Sequence, residues 1–228
     1  MSKQLLLPKT DEEGRSYISY SQIKTWKKSK RDYIRQYFMG EDGPEALKPY
    51  GDFGTKVGEA LENNDFTSFT KEEQEILKQI PRYDEFEREV KLEMDGFYVK
   101  GYIDSNTLVH KTKNKKQVEL VEKILDYKTG DIGKRKEEYE SEDYIQLPIY
   151  AAGIKQDTGY LPSECHVILI QRDGNAFAGE ELRLGKEFIT ITKDITQNLV
   201  DKVLEEVQVT AEEVSAYYTT FLKLNQLI

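Results

Sequence analysis

The 228-residue sequence predicts a mixed α/β fold, with an antiparallel meander in the middle of the chain and helices before and after it. Phe86, Val90, Leu92 and Met94 alternate with charged residues, Asp95-Gly96 is a two-residue hairpin turn, and Phe97 to Val109 reads as the returning strand. A polar, basic turn at Lys111 to Lys116 leads into a third strand, Gln117 to Lys128. On both sides of this region apolar residues recur at helical spacing instead of alternating. Hydrophobic residues are 38% of the chain and aromatics 11%, enough to bury a core despite 33% charged residues.

The elements follow in order. Met1 to Arg15 is polar, contains Pro8 and Gly14, and reads as a flexible tail ahead of a single domain spanning 16–228. Ser19 opens a helix with Gln22 at capping-box spacing; Ile23, Trp26, Tyr33, Ile34 and Tyr37 share one side of it. Gly40 to Gly51, with Gly43, Pro44 and Pro49, predicts a loop. Short helices are expected from about Asp52 to Glu62 and from about Thr70, which has Glu73 at capping-box spacing, to Ile80 before Pro81. After the meander, Asp143 to Gln156 predicts a helix that tolerates Pro148 near its start. Cys165 to Gln171 reads as a short buried strand, and Asp173-Gly174 turns into a strand at Ala176 to Leu184. Two closing helices, Ile191 to Val207 and Ala211 to Leu224, form a C-terminal extension.

Composition excludes several function classes. A formal net charge of -9 argues against a protein that coats nucleic acid indiscriminately, so any contact with phosphate must be local. No run of about 18 apolar residues exists, and the start MSKQLLLPKT is too short in apolar residues for a secretory signal. A cytoplasmic or nucleoid setting with no membrane partner is expected. Cys165 is the only cysteine, which excludes an intramolecular disulfide and any four-cysteine cluster. A GKS/T phosphate loop is missing, which argues against ATP-driven work. His110 beside a polar turn and His166 in a short strand read as solvated or satisfied imidazoles.

The chemistry concentrates in three segments: GYID at Gly101 to Asp104, VEKILDYKTG at Val121 to Gly130, and QLPIY at Gln146 to Tyr150. Alternation along a strand puts Asp126 and Lys128 on one face and Tyr127 on the other. Asp104, on the neighbouring antiparallel strand, can bring its carboxylate beside Asp126. Two adjacent carboxylates repel unless a hard divalent cation bound by oxygens holds both charged. Magnesium or manganese is the implied ion, polarising a phosphate and activating water, with Lys128 orienting that water or neutralising the phosphorane. Asp-x-Lys alone is common in a chain this rich in acids and lysines. Glu89-x-Lys91 is a second instance, and lacking an acid-bearing strand before it, it is assigned to a solvated face. The apolar Ile124-Leu125 sets Asp126 apart, because burying an acid without a partner is costly.

These segments, in this order, resemble the PD-(D/E)XK nuclease superfamily, and within it the RecB-type exonuclease branch, similar to CRISPR-adaptation and phage exonucleases. SYISYSQIKTW with RDYIRQYF looks like that branch's opening helix, FGTKVGEALE like its second helix, GYID like its first acid motif, ILDYKTG like its acid-x-lysine motif, and DYIQLPIYA like its QxxxY motif. The resemblance implies a restriction-endonuclease-like core, a central mixed sheet flanked by helices. It implies metal binding by Asp104, Asp126 and the backbone carbonyl of Tyr127, Lys128 as the catalytic lysine, and Gln146 and Tyr150 positioning DNA or the lysine. The chain departs from the pattern in two places. Gly58 stands where the branch carries a metal-binding histidine, leaving Glu59 or Glu62 as a substitute oxygen ligand or as plain solvated positions. No iron-sulfur cysteines are present.

Basic side chains that can meet phosphate are Lys24, Lys28, Arg31 and Arg35 on the first helix, Lys111, Lys113, Lys115 and Lys116 in the second turn, and Lys134, Arg135 and Lys136 after the catalytic strand. Each group also reads as a solvated face. Tyr33, Tyr37, Tyr144 and Tyr150 are open to base stacking or to core packing. The reading that follows is a metal-dependent deoxyribonuclease, an exonuclease, serving recombination, repair or replication. Its expected partners are DNA single strands or duplex ends and a replication or recombination protein. The competing class is a nuclease-fold binding or scaffold protein whose cutting is weakened.

Overall fold

The computed structural model describes residues 4–113 and 116–226. The meander is present: β3 (Glu85–Met94) pairs antiparallel with β4 (Phe97–Lys113) across the Asp95-Gly96 turn, and β4 pairs antiparallel with β5 (Lys116–Gly130). Gly96 takes φ 86, the left-handed conformation that such a turn needs. A helical crossover, α5 (Ile132–Glu140) and α6 (Gln146–Thr158), then brings β6 (Glu164–Asp173) parallel to β5, and β7 (Arg183–Lys193) returns antiparallel. The seven-stranded sheet is therefore mixed. Lys115 of the basic turn lies outside the described residues, as do the side chains of Lys111, Lys113 and Lys116.

Alternation divides the core between the two faces of this sheet. Ile124, Cys165, Val167 and Leu169 pack under α6 and under α7 (Gln197–Leu224). Their neighbours Leu125, Ile168 and Ile170 pack on the other side, under α3 (Lys48–Asn63) and α4 (Lys71–Leu77). Two glycines let α6 lie close on the sheet. A Cβ on Gly153 would sit 2.2 Å from Val90 Cγ1, and one on Gly101 would sit 2.5 Å from Tyr150 Cε1. The capping boxes at Ser19–Gln22 and Thr70–Glu73 open α1 (Tyr20–Lys28) and α4. Ser29 interrupts the first helix by capping a second short one, α2 (Lys30–Tyr33), which runs into a π turn at Ile34–Phe38.

Four expectations are corrected. Residues 4–15 are docked, not loose: Leu7 is buried, the Leu5 N–H donates to the Gly96 carbonyl, the Leu6 N–H donates to Ser215 Oγ, and β1 (Lys9–Thr10) pairs with β2 (Ser16–Ile18). Leu7 in the core and Leu5 packed against it anchor an otherwise polar stretch. The helix expected from Asp52 begins at Lys48, because Pro49 in the first turn lacks an N–H that would have gone unused there. The strand expected at Ala176 to Leu184 is a 3-10 turn, Ala176–Ala178, and the strand proper is β7, which takes in Ile191. The two closing helices are one of 28 residues, since Gln208, Val209 and Thr210 contain nothing to break it. Among the described residues no helix is long and apolar enough to cross a membrane.

One buried lysine holds the crossover in place. Lys193 Nζ, at 9% residue exposure, donates to the carbonyls of Tyr139 (3.0 Å), Glu140 (3.0 Å) and Ser141 (2.7 Å), the unpaired end of α5. Burial pulls its pKa below the usual lysine value. Lys193→Met is expected to destabilise the protein by about 3 kcal/mol, since hydrogen bonds to a charged donor contribute roughly 1.5–3 kcal/mol and the carbonyls are left without it. The urea midpoint of the variant against that of the parent measures this.

Candidate active site

The site forms where the sheet forks. Along one edge β4 pairs with β3 from Phe97, opposite Met94, to Asn106, opposite Glu85. Along the other it pairs with β5 only from Ser105 onward, and farther back with β2, in parallel, at Tyr98 and Val99. Gly101 to Asp104 border the gap. Asp104 fills it by accepting the backbone N–H of Tyr127 on Oδ2 at 2.6 Å. The N–H and C=O of one strand residue point to the same edge, so the Tyr127 carbonyl faces the same gap.

Asp126 and Lys128 lie together as alternation requires, on the α6 face. The Lys128 ammonium is 2.6 Å from Asp126 Oδ2. Asp126 is 1% exposed, and Tyr144 donates its hydroxyl to the same Oδ2 at 2.7 Å. Asp126 Oδ1 has no partner. An unfilled acceptor on a buried carboxylate is costly in a soluble protein and is the kind of atom a cation satisfies.

Gln146 and Tyr150, one turn apart at the start of α6, complete the wall. Gln146 Nε2 donates to the Tyr150 hydroxyl at 2.9 Å, and Gln146 Oε1 lies 2.9 Å from the Tyr144 hydroxyl. The Tyr144 phenol has one proton for two acceptors, Asp126 and Gln146. Every donor is used when the Gln146 amide turns its N–H toward Tyr144 and accepts from Tyr150. Tyr144, which the sequence leaves open between stacking and core, is thus tied to the acid.

The electrostatics follow from crowding. Burial, and then the charge of Asp126, push the Asp104 carboxyl up to about 7. Burial alone would lower Lys128, but Asp126 and Asp104 outweigh it and hold the ammonium charged. The pH dependence of stability has a definite sign. Between the ordinary 3.8 and about 7 the folded state keeps a proton that the unfolded chain has lost, so this group's contribution falls as pH rises through that window. In chelator, the parent is expected to lose stability from pH 4 to pH 7 relative to Asp104→Asn, read as the difference in urea midpoints. Added magnesium at pH 8 is expected to restore the parent and leave the variant unmoved.

The helix ligands expected from the second helix are not part of this cluster. Glu59 and Glu62 are exposed on α3, which packs on the opposite face of the sheet from Asp126. Among the described residues no three His, Cys, Asp or Glu side chains are placed to hold an ion. A side chain at Gly58 would meet nothing within 4 Å. Glu62 instead acts on Glu87, raising its carboxyl after burial does, and Glu87 in turn raises Asp104. Which face a helix covers is a tertiary outcome that motif spacing does not encode.

The basic groups also sort themselves. Arg35 pairs with Glu41, Lys134 with Asp131, Arg135 with Glu138 and Lys136 with Glu140, all on the surface. Lys28 and Arg31 are exposed on α1 and α2. Lys91 pairs with Glu89 on the surface, in keeping with its assignment to a solvated face. His166 is satisfied by Thr192 and Glu164. Among the described residues, Lys24 is the one member of the expected basic groups that lines the cleft of about 690 Å³ in front of Lys128, Gln146 and Tyr150. The other basic side chains there, Lys9 and Lys100, were not singled out by motif reading. Lys100, Tyr102 and Asp104 recur at every second position of β4, which is the signal that marks them as sharing a side.

Comparisons with known proteins bear on the family and the fold. The family model of the PD-(D/E)XK nuclease superfamily matches residues 64–221, a span containing Asp104, Asp126, Lys128, Gln146 and Tyr150. A search of curated proteins returned no match. A solved structure from Eubacterium rectale, called Putative exonuclease, is similar in fold at 16% identity and a TM-score of 0.53, covering 91% of this chain and 84% of that one. The mixed sheet and its flanking helices correspond to the restriction-endonuclease-like core. The chain belongs to the PD-(D/E)XK nuclease superfamily.

Proposed function

We propose that this protein is a divalent-metal-dependent deoxyribonuclease that hydrolyses phosphodiester bonds from strand ends, in the setting of recombination, repair or replication. The observation that carries the reading is the bare Oδ1 of Asp126, buried beside a second carboxylate and a charged lysine. Asp126, Asp104 and the Tyr127 carbonyl are the residues that would hold Mg2+ or Mn2+, oxygen donors suited to a hard cation. The chemistry such an ion supplies when bound is polarisation of the scissile phosphate and a lowered pKa for a coordinated water. Lys128 places a fixed positive charge where negative charge grows on the phosphate. Tyr144 and Lys128 together occupy Asp126 Oδ2 and so leave Oδ1 unclaimed. Gln146 and Tyr150 keep that wall rigid, with Tyr150 seated on Gly101. The name borne by the Eubacterium rectale protein supports the exonuclease form.

A second reading has its own observation: among the described residues no three acidic, histidine or cysteine side chains are grouped to hold an ion. On that reading the chain is a nuclease-fold nucleic-acid-binding protein with weak cutting. End-labelled single- and double-stranded DNA incubated with magnesium, manganese or chelator separates the two. The expected result is shortening from the ends in either metal, none in chelator and none with Asp126→Ala. Intact DNA in both metals favours the second reading, and equal cutting by Asp126→Ala removes the site.

A further inference from the structure

The cleft in front of Lys128 has a composition unlike the rest of the chain. Among the described residues four lysines line it, Lys9, Lys24, Lys100 and Lys128, and no aspartate or glutamate does, in a protein with 42 acidic residues against 33 basic ones. One wall is the forked edge of the sheet, with Tyr17 on β2 and Lys100 and Tyr102 on β4; the other is α1, with Tyr20 and Lys24. Tyr102 is 43% exposed, a large ring left facing solvent. Lys100 Nζ sits 5.8 Å from the centre of the Tyr17 ring and 5.6 Å from that of Tyr102. The cation is thus set among aromatic faces.

The two lysines with surface ion pairs, Lys100 and Lys24, are not locked. Lys100 lies 3.2 Å from Glu89 and Lys24 lies 2.8 Å from Glu138, all partly exposed side chains, and surface pairs of this kind contribute little and exchange readily for another anion. In an acidic chain such a patch concentrates the field locally and draws a polyanion to one place. Lysines alone would suit any phosphate backbone. Tyrosine rings on both walls add a requirement, because base faces in a duplex are already covered by their neighbours and only an unpaired strand has faces to offer.

We propose that this cleft is a track for an unpaired nucleic-acid strand, with Tyr102, Tyr17 and Tyr20 stacking bases and Lys9, Lys24 and Lys100 following phosphates toward Lys128. The inference deepens the nuclease reading and rests on it for the direction of the track. It makes an unpaired strand, not an intact duplex, the form of substrate that reaches the acids. A duplex end must fray before entering.

Fluorescence anisotropy in chelator, with a labelled oligothymidine and a labelled hairpin duplex of equal charge, tests the track without cutting. The protein is expected to bind the single strand at least about tenfold more tightly. Tyr102→Ala is expected to weaken that binding about 5- to 100-fold. Lys100→Ala is expected to reduce the slope of log affinity against log salt by about 0.7. Lys71→Ala, on an exposed position of α4, serves as the control and is expected to change neither. Equal or tighter binding of the hairpin overturns the proposal, as does unchanged affinity in Tyr102→Ala with an unaltered circular dichroism spectrum. A protein that degrades duplex ends yet shows no preference for the single strand has lost the track and kept the nuclease. One that binds single strands through Tyr102 and cuts nothing has kept the track and lost the nuclease.

Discussion

Lys128→Met is expected to slow cleavage about 100- to 1000-fold while leaving manganese bound. The methionine keeps most of the stem and its packing, so what is removed is charge. In the parent the ammonium is 2.6 Å from Asp126 Oδ2, and the two acids hold it protonated despite burial. Without it Asp126 and Asp104 face each other uncompensated, which makes the pair a stronger attractor for a divalent cation, not a weaker one. Calorimetric titration with Mn2+ is expected to show affinity equal to or tighter than the parent's, alongside single-turnover cleavage that has collapsed. Retained cleavage would reduce Lys128 to a counter-ion of Asp126. Loss of both binding and cleavage would mean that the lysine is needed to assemble the pair.

Tyr144→Phe is expected to lower manganese affinity about 10- to 100-fold, the usual effect of deleting a hydrogen bond that orients a ligating group. The ring stays where it is, held edge-on by Tyr139 at 5.0 Å and by Tyr20 at 5.8 Å, so folding is preserved. Only the hydroxyl that fixes Asp126 Oδ2 is lost. The carboxylate is then held through Oδ2 by Lys128 alone, and Oδ1 is less firmly oriented. Cleavage at saturating manganese is expected to recover most of the parent's rate, which separates a positioning role from a role in the chemical step. An unchanged manganese titration would sink the assignment.

Much of the arrangement was legible because it depends on short-range rules. The hairpin at Asp95-Gly96, both capping boxes, the shared face of Asp126 and Lys128 and the one-turn spacing of Gln146 and Tyr150 are consequences of strand and helix periodicity, and each is present. Misreadings cluster where the deciding contact lies far away in sequence. The docking of residues 4–15 depends on Gly96 and Ser215. The closing helix, which no residue between Val207 and Ala211 breaks, buries a continuous stripe of Val200, Val203, Val207, Ala211 and Val214 in the core it shares with α1 and α6.

The sequence by itself determined which residues are chemically able to act: two acids and a lysine on adjacent strands, a Gln/Tyr pair, and a chain too acidic for indiscriminate binding. Tertiary structure alone decided which of them meet. It opened the sheet at Asp104, put α3 with Glu59 and Glu62 on the far face, drew Tyr144 onto Asp126, and gathered Lys9, Lys24 and Lys100 at one mouth. The reason is that periodicity acts over a few residues and specifies the direction of a side chain relative to its own element. The face on which an element packs, and the neighbour it finds there, come from burying many apolar surfaces at once.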